Sequence, residues 1–201
     1  MSVLANTKYV SGHSDLMQGA VVLGDSGLAR AFDATYDGLG LCVGADDAYL
    51  ALRGLRTLGV RMNQHGRNAL HLAQRLQRLP QVSRVYCPAL PDDPGHALWK
   101  RDFRGTNGLL SLEFEGFDMA QIEAVANALQ LFSIGASWGG YESLALPTPG
   151  EKLKFQASWN GAAGVLRLHV GLEHPDDLFD DLCQALDLVT STPSTRISLR
   201  K

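Results

Sequence analysis

Apolar residues recur with helical spacing over two neighbouring segments of the chain. The first segment begins at Asp46-Asp47 and runs to Leu55, and the second covers residues 58–79 and ends before Pro80. Apolar positions three and four residues apart form one face of an α-helix. Two aspartates in a first turn suit the positive end of the helix dipole. The pattern therefore predicts two amphipathic helices, the second long enough to link two domains.

Strand patterns lie on both sides of these helices. Residues 18–23 form a short apolar run that predicts a buried strand, and the glycines and polar residues of 24–44 are typical of loops. Beyond Pro80 the predicted strands are 82–86, 109–114, 131–134 and 165–170, and the predicted helices are 119–129 and 175–186. Strands and helices that alternate after a helix-rich half predict an α/β fold with a small mixed-sheet domain.

Composition narrows the class of partner. The chain has 201 residues, 45% of them hydrophobic, which is enough for a real core. The net charge of −3 without a long run of one sign argues against nucleic acid or an anionic membrane as a partner. The apolar runs are too short for a membrane span. Three widely spaced cysteines outside any CxxC pair indicate reduced thiols in a cytoplasmic protein rather than a disulfide or metal site.

The first candidate for chemistry is Lys8. A lysine on a polar loop is, taken alone, most often a solvated charge. Here Thr7-Lys8-Tyr9 is followed by Gly-His-Ser-Asp at 12–15, and the combination resembles the loop with the Schiff-base lysine of the Cys/Met-metabolism family of pyridoxal-phosphate (PLP) enzymes. The resemblance implies that Lys8 binds PLP and transfers protons, and that Thr7 binds its phosphate. Ala5 stands where some relatives have a second phosphate-binding serine.

The second candidate segment is 133–144, which reads Ser-Ile-Gly-Ala-Ser-Trp-Gly-Gly-Tyr-Glu-Ser-Leu. A Gly-Gly pair after an aromatic residue indicates by itself only a turn. The whole segment is similar to an active-site segment of the β-lyase branch of the same family. The resemblance implies that Ser137 and Trp138 orient the substrate carboxylate and form a wall of the pocket. Family members that act at the γ-carbon usually have leucine at the position of Trp138, so this residue favours β-elimination.

The third candidate is Arg167, which lies on a predicted strand within Leu-Arg-Leu-His-Val-Gly-Leu-Glu at 166–173. A guanidinium group binds a carboxylate through two parallel hydrogen bonds. An arginine on a half-buried strand is, taken alone, more often a surface residue. The segment matches the family segment whose arginine holds the substrate α-carboxylate, so the resemblance implies that role for Arg167.

The remaining polar residues favour structural roles. His65 and His71 are six residues apart and so do not share one helix face, which argues against a metal pair. We therefore expect no metal site. His13 and Asp15 are expected to shape the lysine loop through local hydrogen bonds.

The resemblance covers residues 3–189 and implies the C-terminal part of a fold-type-I PLP enzyme. Four parts are expected on this basis. Residues 1–57 would be the remainder of the PLP-binding large domain, 58–80 the linking helix, 81–189 the small domain and 190–201 a flexible tail.

The implied activity is a PLP-dependent α,β-elimination of L-cystathionine or of cysteine S-conjugates. The products are homocysteine or another thiol, pyruvate and ammonia, as in transsulfuration and methionine biosynthesis. The alternatives are a γ-synthase or γ-lyase activity and a non-catalytic truncated product. In the family the lysine loop lies near the middle of the chain, so we expect the isolated chain to be inactive. Family members are tetramers, which implies a homo-oligomer.

Overall fold

A computed structural model describes residues 1–153 and 162–191 of the chain. Its helices and strands, in chain order, are β1 (Ser2–Ala5), β2 (Gly19–Val22), α1 (Ser26–Gly38), α2 (Ala45–Leu55), α3 (Leu58–Leu76), β3 (Val82–Tyr86), α4 (His96–Asp102), β4 (Leu109–Phe114), α5 (Met119–Ala128), β5 (Ser133–Ile134), β6 (Leu144–Pro149), β7 (Gly164–His169) and α6 (Pro175–Ser191). A π-helical turn, Asn6–Val10, follows β1 and contains Lys8.

The main sheet has five strands in the order β3-β4-β7-β6-β5. Its pairs are antiparallel except for the parallel pair β5–β6. The helices α3, α5 and α6 form the core with the inner face of this sheet, where Leu166 and Leu168 of β7 are fully buried. Successive side chains of a strand point to opposite faces. Arg167 and His169 therefore share the other face of β7.

A buried carboxylate holds the connection between α5 and β5. Asp181 of α6 is 6% exposed and accepts hydrogen bonds from the N–H groups of Gln130 (2.9 Å) and Leu131 (2.8 Å). Buried backbone donors need such partners, because an unpaired donor costs about 1–3 kcal/mol. This contact fixes the chain just before β5 and thereby sets where the segment 135–143 begins.

The predicted elements beyond residue 45 are confirmed, with differences of a few residues at their ends. The pattern does not predict α4 or β6. The strand β6 contains Pro147 and Pro149, and proline lacks the N–H that a strand needs in the middle of a sheet. The sheet accommodates both prolines because β5 pairs only with Leu144 and Ala145. Among the described residues, the part of β6 that contains the two prolines therefore pairs with β7 only.

Two predictions about the N-terminal quarter are wrong. The segment 24–44, predicted to be a loop, contains the helix α1. The Asp25 carboxylate accepts the Leu28 N–H (2.7 Å) and thereby caps the N-terminus of this helix. The strand predicted for 18–23 exists as β2 but is not buried, and Val22 is 57% exposed. Its partner is β1, and a two-stranded hairpin cannot bury its own faces.

The C-terminal helix runs further than the pattern predicts. Thr190 and Ser191, placed in the predicted tail 190–201, belong to α6, and the rest of that tail lies outside the described residues. The predicted domain limits at residues 57 and 80 stay predictions. Within residues 1–153 and 162–191, no helix combines the length and the apolar character that a membrane crossing needs.

Candidate active site

Lys8 lies beside two of the predicted site residues. The backbone of its turn leaves the helical region at Lys8 (φ −93°, ψ −127°). Its Nζ donates a hydrogen bond to Ser137 Oγ (2.9 Å) and lies 4.2 Å from the ring centroid of Trp138, within the range of a cation–π contact. The fold thus brings Lys8, Ser137 and Trp138 together although Lys8 and Ser137 are 129 positions apart.

Arg167 approaches the same group from β7. Its Nη2 donates to the Ser137 carbonyl oxygen (3.0 Å), and its guanidinium carbon lies 5.7 Å from the Trp138 ring centroid. Its Nε is buried and has no hydrogen-bond partner in the part of the chain that the structure describes. None of the ion pairs formed among residues 1–153 and 162–191 includes Arg167, and burial lowers its pKa. A guanidinium group without a counter-ion is suited to an anionic ligand.

Thr7 is close to this group, but its hydroxyl is engaged locally. The hydroxyl accepts the Gln18 N–H (2.9 Å) and donates to the Gln18 carbonyl oxygen (3.2 Å). Thr7 and Ser137 also line a cavity of about 350 Å³, which is completed by Ser14, Asp15, Leu16, Met17 and Glu142. The cavity therefore has hydroxyl and carboxylate groups on its wall.

A cluster of three rings lies next to Lys8, and it consists of the half-buried Tyr9 and the buried His65 and His169. The ring centroid of Tyr9 is 5.4 Å from that of His65 and 5.9 Å from that of His169, and the two imidazoles are 5.3 Å apart. The Tyr9 hydroxyl accepts the Gly108 N–H (3.0 Å), and burial raises the Tyr9 pKa to about 12. His65 Nδ1 donates to the Val170 carbonyl oxygen (2.9 Å). Sequence reasoning missed this cluster because its members come from three distant segments.

The Arg61 side chain binds the backbone of the turn that contains Lys8. The side chain is 7% exposed and donates to the carbonyl oxygens of Tyr9 (2.7 Å), Val10 (3.2 Å) and Gly54 (2.7 Å) and to Thr57 Oγ1 (3.0 Å). Burial lowers its pKa, yet an arginine stays protonated in proteins. The buried Arg61 guanidinium thus joins the lysine turn to the end of α2 and the start of α3. No local pattern in the sequence predicts this role.

The turn after Trp138 fits tightly against the lysine segment. Gly139 has φ +88°, and a Cβ atom on it would lie 2.6 Å from the Tyr9 nitrogen, so that only glycine fits. The Gly139 N–H donates to His169 Nε2 (3.1 Å). Further along the turn, Ser143 donates its N–H to Glu173 Oε1 (2.7 Å). Residues just after Arg167 therefore shape the turn that carries Ser137 and Trp138.

Two further contacts shape the loop after Lys8. The Ser14 hydroxyl donates to Glu142 Oε1, which ties this loop to the turn after Trp138. His13 Nδ1 donates to the Ser11 carbonyl oxygen (2.6 Å), which confirms the predicted local role of His13. The histidines expected not to form a metal pair take different partners, since His71 Nε2 pairs with Asp176 (2.8 Å) and His65 bonds to Val170.

We expect the two buried histidines to make the fold sensitive to acid. Burial lowers the pKa of His169 from 6.5 to about 4 and also lowers that of His65. The unfolded chain takes up a proton at His169 near pH 6.5, whereas the folded chain does so only near pH 4. The free energy of unfolding therefore falls as pH decreases between these values, by about 2–3 kcal/mol for His169.

Urea unfolding at pH 7 and pH 4.5 measures this loss. Glutamine does not titrate in this range. Between pH 7 and pH 4.5, the free energy of unfolding of His169→Gln should therefore fall by about 2 kcal/mol less than that of the unsubstituted chain. An equal decrease of the free energy of unfolding in both proteins would show that His169 does not cause the acid sensitivity.

Comparisons with known proteins agree with the geometry. A profile of the Cys/Met metabolism PLP-dependent enzyme family matches residues 1–187. The cystathionine beta-lyase of Bordetella avium is 54% identical over 188 residues, which are 93% of this chain and 47% of that protein. The cystathionine beta-lyase of Escherichia coli K12 is 44% identical over 191 residues, covering 90% of this chain and 47% of that protein.

A solved structure has the same fold. The crystal structure of cystathionine gamma synthase from Xanthomonas oryzae pv. oryzae, in complex with aminoacrylate and cysteine, matches with a TM-score of 0.85 at 37% identity. The match covers 94% of this chain and 50% of that chain. The chain therefore spans about half the length of the relatives it matches.

The sequence and the structure agree on the fold class and on the protein family. The structural match confirms the predicted fold class, an α/β part of the fold-type-I architecture. The family match covers the segments that contain Lys8, Ser137, Trp138 and Arg167, and the cofactor of that family is PLP. The chain belongs to the Cys/Met metabolism family of PLP-dependent enzymes.

Proposed function

We propose that this chain carries the lysine-bearing part of the active site of a PLP-dependent carbon–sulfur β-lyase. The reaction is the α,β-elimination of L-cystathionine, which with one water gives homocysteine, pyruvate and ammonia. A cysteine S-conjugate would release its own thiol. The observation that carries the proposal is the contact of Lys8 Nζ with Ser137 Oγ and with the Trp138 ring. The names of the two most similar relatives described above support β-elimination.

The residues of the site fit PLP. Lys8 offers a primary amine held by a hydroxyl group. Thr7 lines the adjacent cavity, and its hydroxyl bond to the Gln18 carbonyl oxygen is long at 3.2 Å, so a phosphate oxygen can replace that acceptor. When bound, PLP supplies an electron-withdrawing ring that accommodates the electron pair left at the substrate α-carbon.

Proton transfer falls to the amine of Lys8. In its neutral form the amine accepts the α-proton and then returns a proton to the departing sulfur. The 2.9 Å contact with Ser137 Oγ orients the amine. The Trp138 ring lies 4.2 Å from the amine and limits its position on one side.

Arg167 orients the amino-acid end of the substrate. One of its amino groups is anchored on the Ser137 carbonyl oxygen, and the fork geometry of the guanidinium group suits the substrate α-carboxylate. The anchor is a backbone atom of the residue whose hydroxyl contacts Lys8. The carboxylate position and the lysine position are therefore coupled through Ser137.

The second candidate function is elimination or replacement at the γ-carbon. The match to a cystathionine gamma synthase structure at 37% identity supports it, because the two activities use the same cofactor and fold. Trp138 supports the β-lyase proposal, since the family resemblance implies leucine at this position in members that act at the γ-carbon. Its ring occupies space beside the Lys8 amine.

Because the isolated chain is expected to be inactive, the holoenzyme for this test is this chain joined to the remaining part of the Bordetella avium relative and loaded with PLP. The oxo acid that this holoenzyme releases from L-cystathionine tests the proposal. We expect pyruvate to exceed 2-oxobutyrate by about tenfold or more, a ratio within what a shaped pocket achieves. Lys8→Arg serves as the control and should abolish both signals. Predominant 2-oxobutyrate would establish the γ-activity instead. Release of neither product would support a non-catalytic role.

A further inference from the structure

We propose that His169 is a positioning residue of this site, whose Nε2 fixes the turn that holds Ser137 and Trp138 against Lys8. His169 lies on β7 two residues after Arg167 and is fully buried. It is not among the residues that the family resemblance places in the site. Its role follows from where its ring nitrogen lies.

His169 Nε2 contacts the backbone immediately after Trp138. It lies 3.1 Å from the Gly139 nitrogen and 3.1 Å from the Gly140 carbonyl oxygen. A neutral imidazole nitrogen either accepts or donates a hydrogen bond. With a lone pair, Nε2 accepts the Gly139 N–H, and with a hydrogen it donates to the Gly140 oxygen. We take the first tautomer, because it gives the buried Gly139 N–H an acceptor and ties this dipeptide to β7.

The tied dipeptide sets the distance between Trp138 and Lys8. The Gly139 backbone packs so closely on the lysine segment that a Cβ atom on it would lie 2.8 Å from the Lys8 carbonyl carbon. The Gly139 N–H belongs to the peptide bond that joins it to Trp138. Without an acceptor this N–H would be buried and unpaired, which is unfavourable. The turn would open to hydrate it and carry the indole away from Lys8.

The surroundings keep His169 in one orientation. Its ring packs against both Tyr9 and His65, which restricts rotation of the imidazole. The far end of the turn is held separately, through Ser143 and Glu173. Loss of the His169 bond should therefore loosen the Trp138 end of the turn and leave the Ser143 end in place.

Two substitutions of similar length separate the hydrogen bond from packing. His169→Gln retains a terminal amide that can accept from Gly139 and donate to Gly140, whereas His169→Met fills similar space without either capacity. Hydrogen exchange of the Gly139 amide, relative to the Ser143 amide, is measured in the full chain. We expect the ratio to rise about fivefold or more in His169→Met and to stay within about twofold in His169→Gln.

Acrylamide quenching of Trp138 fluorescence, isolated by difference against Trp138→Phe, gives a second readout. Quenching should increase in the methionine variant and not in the glutamine variant. The control is Leu168→Ala, a core substitution on the opposite face of β7. It should lower the urea midpoint of unfolding, because it leaves a cavity in the core. It should not change the exchange ratio.

An exchange ratio in His169→Met equal to that of the unsubstituted chain would overturn the inference. An equal rise in both variants would also overturn it, because packing alone would then explain the effect. The functional meaning of the inference rests on the proposed lyase activity, but the exchange measurement needs neither cofactor nor turnover. A missing lyase activity would therefore refute the proposed function and leave the exchange result intact.

Discussion

Replacing Lys8 with arginine should lower the rate of pyruvate release from L-cystathionine by about a thousandfold or more. Arginine preserves the positive charge beside Trp138 and can still donate to Ser137 Oγ. It cannot take up the α-proton, because a guanidinium group stays protonated in proteins, and it does not offer the primary amine that PLP binds. The steady-state kcat of the holoenzyme at saturating substrate measures the loss.

Lys100→Arg is the matched control. Lys100 is an exposed residue on α4, and its substitution should leave kcat within about twofold because exposed surface changes rarely disturb a distant site. If Lys8→Arg retained more than about a tenth of the activity, which is above what loss of a general base allows, another group would have to be the base.

Replacing Arg61 with methionine should lower the free energy of unfolding by about 3 kcal/mol or more. The substitution removes the Arg61 hydrogen bonds to the carbonyl oxygens of Tyr9, Val10 and Gly54. The Gly54 oxygen keeps its bonds from Thr57, so the main loss is at the lysine segment. Methionine fills much of the same volume, so the loss reports hydrogen bonding rather than a cavity. Because two of these oxygens belong to the lysine segment, the segment should also become more accessible to protease.

Arg67→Met on the same helix is the control for this change. Arg67 is exposed and bonds to Gln64 (2.7 Å), so its loss should change the free energy of unfolding by less than about 0.5 kcal/mol. Urea denaturation of both variants measures the difference. A decrease below about 1 kcal/mol in Arg61→Met, close to that of one ordinary hydrogen bond, would show that the guanidinium does not hold the lysine turn.

The predictable parts of the fold are those with local signals. The strand of Arg167 and the helix α3 follow from apolar periodicity, and both are confirmed. The predicted residues Lys8, Ser137, Trp138 and Arg167 lie together in the structure. Their resemblance to family motifs made them recognisable one by one, and the fold supplies the contacts between them.

The supporting residues could not be predicted because their roles depend on contacts across the chain. Arg61 and His65 sit on α3 like ordinary members of an amphipathic helix. His169 alternates with leucines like any outward-facing residue of a strand. Only when β7, α3 and the lysine turn are packed together does Arg61 meet the carbonyl of Tyr9 and His169 meet the N–H of Gly139.

The central claim, that Lys8 is the cofactor-binding residue of a carbon–sulfur lyase, is tested most directly by locating PLP on the chain. Borohydride reduction of the holoenzyme fixes the cofactor on the lysine that binds it, and peptide mass spectrometry identifies that lysine. The account predicts the label on the peptide containing Lys8 and its disappearance in Lys8→Arg. A label on Lys100 or Lys152, or one that persists in Lys8→Arg, would contradict it.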